Sequence, residues 1–251
     1  MRLHHDLVFV LVKRELKVRY RGSFLGAIWT MLQPLLMMLV LHTVFSAIFR
    51  FSIKNYPVYA LTGVLFWNFF SQSITNSMNS LRGNAILLRK VAVPYAVFPF
   101  AAVVSGVVNL VLALVPLLAL LIVTDHKIGP ALLFLPVAIA IALLFTLGAG
   151  LALSPLAVFF TDVIEFVTVL LTLTMYLTPV FYPKDILPDH FYWIVHYNPI
   201  RSVLEVFRDP IYLSKIPPIQ HLSVALLCAM ASFAIGVWIY RKSERRIAFF
   251  V

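Results

Sequence analysis

Six long stretches of this sequence contain no Asp, Glu, Lys or Arg: residues 22–49, 55–81, 91–124, 128–161, 166–183 and 216–240. About 20 helical residues at 1.5 Å each cross the hydrocarbon core of a bilayer. The run 166–183 is marginal and reaches that length by borrowing Ile164 and Glu165; the others are comfortably long enough. A soluble fold has nowhere to hide so much apolar chain. Hydrophobic residues make up 62% and charged residues 12%, against roughly 45–50% and 25% in soluble domains. The excess must face lipid, where every backbone polar group needs a partner within the protein, so helices or a closed barrel remain. Barrel strands are alternating segments of about 10 residues. These runs are longer and do not alternate. The expected fold is therefore all-α: a polytopic membrane protein, read as one domain over 1–251.

The expected transmembrane helices are 31–50, 58–79, 94–123, 131–156, 163–182 and 219–240. Pro34 places the start of the first near Met31, with the preceding residues along the interface. Pro94 suits a helix start, and Pro116 should kink the third span or force a local adjustment. Lys and Arg favour the cytoplasmic side and act most strongly near span ends. With the N-terminus inside, the inner segments 1–30, 80–93, 157–163 and 241–251 hold almost twice as many basic residues as the outer ones. Both termini are then cytoplasmic. The same clustering explains the net charge of +10 without nucleic acid. Leu7 to Val12 is too short an apolar stretch for the core of a signal peptide. Cys228, the single cysteine, has no intrachain disulfide partner.

Four segments lie outside the spans. Along 1–30, Phe9, Val12, Leu16 and Tyr20 share one helical face, and Lys13, Arg14, Lys17 and Arg21 an adjoining one. That is an amphipathic helix for the cytoplasmic membrane surface. In 80–93, Asn84 is placed to cap a short helix that carries Ile86, Leu87 and Leu88. Apolar residues on a short surface helix call for a partner, although a connector lying on the headgroups would also serve. Between spans four and five, Asp162 and Glu165 have capping-box spacing and suit the positive end of a helix dipole. The outer segment 183–218 is too polar to span and too apolar to float free. Phe191, Ile194 and Val195 are helically spaced. After the Asn198–Pro199 break come Ile200, Val203, Leu204 and Phe207, with Arg201 and Glu205 as an i,i+4 pair. Two short helices are expected, forming a re-entrant hairpin that lines or plugs the outer end of a pathway.

These segments resemble the type-2 ABC exporter permeases, specifically those that export O-antigen, capsule or teichoic acid polymers. The resemblance rests first on Arg14, Glu15, Leu16, Lys17, Val18, Arg19 and Tyr20, followed by Ser23, Leu25, Gly26, Trp29 and Pro34. Leu88, Arg89 and Lys90 in the 84–94 segment are similar to the family's coupling loop. Thr178, Pro179, Val180, Tyr182 and Pro183, then Asn198, Pro199, Arg208 and Asp209, fit its outer re-entrant region. Thr161 departs from the pattern, since many members carry a basic residue before the position of Asp162. The resemblance implies a permease subunit in the cytoplasmic (inner) membrane. It implies a second copy as homodimer partner, two copies of a cytoplasmic ABC ATPase, and a lipid-linked polysaccharide substrate. ATP and Mg would be bound by the partner ATPase and no cofactor by this chain. In keeping with that division, the sequence has no G-x-x-x-x-G-K-[ST] phosphate loop. No metal-ligand spacing stands out, and no catalytic residues are assigned.

On that reading, Arg82, Asn84, Ile86, Leu87, Leu88, Arg89 and Lys90 are the expected contacts to the ATPase. Arg19 and Arg21 are the head-group candidates, because guanidinium geometry suits phosphate. Tyr59, Phe66, Trp67, Phe69, Phe70, Phe166, Tyr176, Phe181 and Tyr182 are candidates for stacking on sugar faces in a channel, with interfacial aromatic belts as the competing explanation. A permease for small drugs or lipids is the alternative within the same class. A secondary transporter or channel would need mid-span acids or broken helices. A membrane acyl- or glycosyltransferase would need a clustered His/Asp/Glu site.

Overall fold

A computed structural model of the chain describes the backbone of residues 2–22, 25–49, 53–90, 93–183 and 192–250; the side chains of 2–6, 19, 46–49, 89, 90, 192, 194, 248 and 249 lie outside the description. The helices, in order, are α1 (Arg2–Tyr20), α2 (Ile28–Phe49), α3 (Tyr56–Gly83), α4 (Ala85–Lys90) and α5 (Val97–Val123). A 3-10 turn (Pro130–Phe134) leads into α6 (Leu135–Phe159). Then come α7 (Asp162–Leu177), α8 (Tyr192–His196), α9 (Pro199–Tyr212) and α10 (Ile219–Phe250). Among the described residues, four helical segments are long and apolar enough to cross a membrane: Ile28–Phe45, Val97–Val123, Pro130–Phe159 and Ile219–Ile247. α3 has the length, at 28 residues, but amides and hydroxyls dilute its apolar character. α7 has 16 residues.

The helices differ from the expected ones at their ends, each for a local reason. α2 begins at Ile28 and keeps Pro34 inside it, in the second turn, where the missing N–H removes one intrahelical hydrogen bond. α5 begins at Val97 rather than Pro94, after a turn in which the Val97 N–H donates to the Pro94 carbonyl. α10 continues ten residues past the expected end at 240, because Tyr240 and Ile247 are buried in a cluster with the start of α5 and the end of α6, the ends expected to be inner. At α7 the N-cap position is Thr161, not Asp162, and no side chain caps the helix. The capping box is therefore not formed, although both acids do sit in the first turn, where the dipole favours them.

α3 is the central element. Its outer half is buried on nearly every side, from Val58 to Phe70. Two apolar clusters surround it. The larger joins α3, α5, α6 and α9; the smaller joins α1, α4 and the inner parts of α5, α6 and α10. Lipid gives helices no hydrophobic reason to associate, so close packing and small residues must do it. α6 and α10 show this most clearly. A Cβ at Gly148 would overlap the backbone of Ser232 and Phe233, and one at Gly236 would overlap the backbone of Gly148. At the same contact, the Ser232 hydroxyl donates to the Phe145 carbonyl at 2.9 Å. By contrast, α2 and α7 are only partly packed; Val167 is the one buried residue of α7 among the described residues.

Candidate functional site

The outer end of the protein is built around a break after α7. Residues 178–183 are irregular, and their carbonyls are satisfied from α3 and α9. Tyr56 donates to the Phe181 carbonyl at 3.0 Å and Tyr59 to the Tyr182 carbonyl at 2.9 Å. Arg208 of α9 is buried and donates to the carbonyls of Pro179 (2.9 Å) and Val180 (2.5 Å). Its guanidinium carbon lies 3.9 Å from the centre of the Tyr59 ring. Gly63 leaves room for this, since a Cβ there would overlap both the Val180 carbonyl and the Arg208 guanidinium. The helix break, α3 and α9 are thus clamped by one buried cation and two tyrosines. The neighbouring Tyr212 phenol is pushed above its ordinary value by burial and by Tyr59, with Arg208 opposing.

α9 has the expected pattern. Asn198 caps it by accepting from the Ile200 N–H at 2.9 Å, and Arg201 pairs with Glu205 at 2.8 Å. Val203, Leu204 and Phe207 are buried. The first outer helix is only five residues long. Phe191 and the Ile194 side chain lie outside the described residues, while Val195 is buried.

Further inward, α3 changes character. Asn68, Gln72, Asn76 and Asn79, spaced by four, four and three residues, form an amide stripe along one face. Between this stripe and α7 lies a cavity of about 240 Å³ lined by Trp67, Ser71, Gln72, Thr75, Asn76, Thr168 and Thr172, among others. Thr168 and Thr172 face outward on α7, and their hydroxyls donate to carbonyls one turn back. On the other side of the stripe, a cavity of about 260 Å³ lies between α3, α2, α5 and the end of α1. Gln72 and Asn76 line both. A third, of about 350 Å³, reaches the inner end of α3 and includes Asn76, Asn79, Arg14 and Glu15. The result is a polar groove along α3, open between two loosely packed helices. The stripe was readable from the sequence as amides at helical spacing inside a charge-free run.

At the inner end, α1 is bonded to the helices beneath it. Arg14 donates to the Asn84 side-chain carbonyl at 2.5 Å. Ser105 of α5 donates to Glu15 at 2.9 Å. The Tyr20 hydroxyl donates to Asn109 of α5 and meets the Thr30 hydroxyl of α2, both at 2.7 Å. Leu7, Leu11 and Val12 pack into the smaller cluster, whereas Phe9 is exposed. The face docked on protein is therefore rotated from the Phe9–Leu16 face expected for lipid. Asn84 does not cap α4 with its side chain; its amide donates to the Ser80 carbonyl at 2.7 Å while its oxygen accepts from Arg14. Arg82 is likewise engaged, donating to the Val158 carbonyl of α6 at 3.0 Å. On α4, Ile86 is 75% exposed but Leu88 only 6%, and Leu87 is half-buried. Leu88 is a core residue of the smaller cluster, and Ile86 carries the exposed apolar surface of α4. Arg21 is exposed. The side chains of Arg19, Arg89 and Lys90 lie outside the described residues.

The aromatic candidates divide sharply. Phe66, Phe69, Phe70 and Trp67 are buried. Phe66 meets Phe207 of α9 at 5.9 Å between centroids, and Phe70 meets Phe145 of α6 at 5.7 Å. These rings pack against other helices of the same chain, and Phe66 and Phe70 have almost no exposed surface. Trp67 lines the cavity on the α7 side and Phe69 the one on the α2 side. Tyr59 and Phe181 are buried in the outer clamp. Phe166 and Tyr176, more than 60% exposed, face outward from α7. Tyr182 is half-buried and donates to the Tyr176 carbonyl at 2.7 Å.

A helical bundle with lipid-compatible helices, a polar stripe on its central helix and a stapled break at one end is that of a polytopic membrane protein. The chain belongs to the ABC-2 type transporter family, whose match covers residues 6–212. Its relatives include the O-antigen export system permease protein RfbA of Klebsiella pneumoniae, 30% identical over 97% of this chain and 94% of the relative. The protein of the same name from Myxococcus xanthus is 35% identical over 91% of each chain. The polysialic acid transport protein KpsM of Escherichia coli is 20% identical over 94% of this chain and 93% of the relative.

Proposed function

We propose that this protein is the membrane-embedded permease subunit of an ATP-driven exporter that moves a lipid-linked polysaccharide across the cytoplasmic membrane. The observation that carries the reading is the amide stripe of α3, left open between α2 and α7 in a chain of this family. A flexible, hydroxyl-rich polymer needs a wet, sequence-tolerant surface. Neutral amides and threonine hydroxyls supply one without the ion sites that a coupled secondary transporter would need. The chain crosses the membrane six times, with α3 and α7 joining the four more apolar crossings, and both termini are cytoplasmic. α8 and α9 form the outer re-entrant hairpin. Two copies face each other across α2 and α7 and enclose the path; Phe166 and Tyr176 of α7 present their rings to it, with Tyr182 at its outer end. A separate ABC ATPase binds ATP and Mg and docks on the exposed Ile86 surface of α4 and on α1. The head group of the substrate meets Arg21, and Arg19, at the inner mouth.

The test is complementation. Deleting the gene should leave polysaccharide on the inner leaflet, and restoring it with its ATPase should return polymer to the cell surface. Transport by the purified chain with no ATPase present would refute the reading. Restored efflux of small drugs but not of polymer would replace it with the drug-permease alternative.

A further inference from the structure

Asn84 is the one residue between α3 and α4, and three helices meet on it. Its backbone carbonyl accepts from the N–H groups of Leu87 (2.9 Å) and Leu88 (3.0 Å) and so starts α4. Its side-chain amide donates to the Ser80 carbonyl in the last turn of α3 at 2.7 Å. Its side-chain oxygen accepts from Arg14 of α1 at 2.5 Å. The joint between α3 and α4 is thus held by a charged donor from a third helix.

That donor crosses a gap. Between α1 and the inner end of α3 lies the 350 Å³ cavity, with Arg14, Glu15 and Val18 on one wall and Asn76, Asn79 and Asn84 on the other. α4 rests on the smaller apolar cluster through Leu87 and Leu88, where Leu11 of α1 also packs. Apolar contact is non-directional and lets one surface slide on another. A hydrogen bond from a planar guanidinium fixes distance and angle.

From Arg14 the connection continues along α1. Glu15 accepts from Ser105 of α5 at 2.9 Å. Less than two turns further on, the Tyr20 hydroxyl meets Asn109 of α5 and Thr30 of α2, both at 2.7 Å. α1 is therefore a short rod seated on α5, with one polar contact at the α3–α4 joint and another at the start of α2.

From this we propose that Arg14 is a positioning residue for energy coupling: its bond to Asn84 locks α1 to the α3–α4 joint, so that α4 displaced by the ATPase carries α1 with it and the movement reaches α2. The proposal rests on the reading of the chain as a permease driven by a separate ATPase. In this role Arg14 acts through Asn84 and not on the polymer. Glu15, which lines the same cavity, makes the place unfavourable for a phosphate head group.

The test uses the assembled permease–ATPase complex in proteoliposomes, with the lipid-linked polymer extracted from cells lacking the gene. The readout is polymer moved per ATP hydrolysed, which does not depend on how much complex assembles. Arg14→Met and Asn84→Ala should each lower it about fivefold, the equivalent of one charge-assisted bond at an exposed site, near 1 kcal/mol. The double variant should lower it no further, and Arg14→Lys, which keeps a charged donor, should retain most of it. In a Cys228→Ser background, the pair Arg14→Cys and Asn84→Cys should recover the ratio when bridged by a short bis-maleimide, but not when both thiols are blocked with N-ethylmaleimide.

The proposal is overturned if the single variants match the parent, if their effects add in the double variant, or if the bridged pair stays uncoupled. An Arg14→Met defect that more polymer overcomes, and that Asn84→Ala does not share, would make Arg14 a head-group contact and overturn it as well. Parent-like ratios in variants of an active complex refute the joint alone, whereas a native complex that hydrolyses ATP and moves no polymer refutes the permease reading.

Discussion

Replacing Arg208 by Met tests the outer clamp most directly. The methionine keeps much of the apolar bulk and removes the charge, two hydrogen bonds and the contact with the Tyr59 ring. Bonds made by a charged donor are worth about 1.5–3 kcal/mol each, and a desolvated cation–π contact about 2 kcal/mol. Burying the guanidinium offsets part of this, the more so because its Nε has no partner. The carbonyls of Pro179 and Val180 would then lose their charged donors. A net loss of about 3 kcal/mol is expected, confined to the 178–183 break and the helices it touches. At 1.4 kcal/mol per tenfold, amide exchange in this segment should accelerate by about a hundredfold, measured by hydrogen–deuterium exchange in nanodiscs. Exchange at the α6–α10 contact should not change. Tyr59→Phe is the companion variant: it removes the bond to the Tyr182 carbonyl, keeps the ring under Arg208, and should cost about 1 kcal/mol. Native-like protection of 178–183 in Arg208→Met would refute the view that this cation holds the break in place. Uniform loss of protection across the protein would refute its confinement to the outer end.

Ile86→Asp should abolish co-purification with the ATPase while the permease still inserts and folds, whereas Leu88→Asp should lower the permease's own thermal stability by several kcal/mol by burying a charge; the reverse pattern would invert the assignment on α4. Gly236→Leu should force α6 and α10 apart at Gly148 and cost about 1–3 kcal/mol as overpacking, read as a fall in the detergent-solubilised midpoint. Cysteines introduced at Lys13 and Lys242 should label only from the cytoplasmic side, and one at Lys127 only from outside; labelling of the first two from opposite faces would end the six-crossing topology.

The sequence carried the helices well because their signal is one-dimensional. Charge-free runs locate the helices, although α10 outlasts its run by ten residues and Pro34 falls inside α2 rather than before it, and α9 followed from Ile200, Val203, Leu204 and Phe207 alone. What it carried poorly was which side of a helix meets protein rather than lipid. In water, apolar residues mark the buried face; in a membrane both faces are apolar. Phe66 and Phe70, read as channel candidates, pack against Phe207 and Phe145 of neighbouring helices, and on α1 it is Leu11, not Phe9, that is buried against protein. Asn84 fits a cap by local propensity, yet Arg14, seventy residues earlier, claims its oxygen. Arg208 did leave a trace. It falls four residues after Leu204, on the apolar face of an amphipathic helix, and a charge there calls for buried acceptors. The amides of α3 left a similar one, at helical spacing inside an apolar run.

The distribution of packing bears on what can move. α3, α5, α6 and α10 are joined by close backbone contacts and buried aromatic pairs, and α9 adds the clamp. α2 and α7 are held to this frame mostly along α3, and much of their remaining surface is apolar and exposed. Lipid can solvate that surface, and so can the same surface of a second copy, so exchanging one for the other costs little hydrophobic free energy. Helices held in this way can separate and close without breaking the core behind them. The bonds from Tyr20 to Asn109 and Thr30 tie α1 to both the rigid α5 and the looser α2. On the proposed reading, a push by the ATPase on α1 is thereby delivered at the inner end of α2, while Arg208 and the two tyrosines keep the outer end of α7 fixed to α3. The path would then open from the inside first.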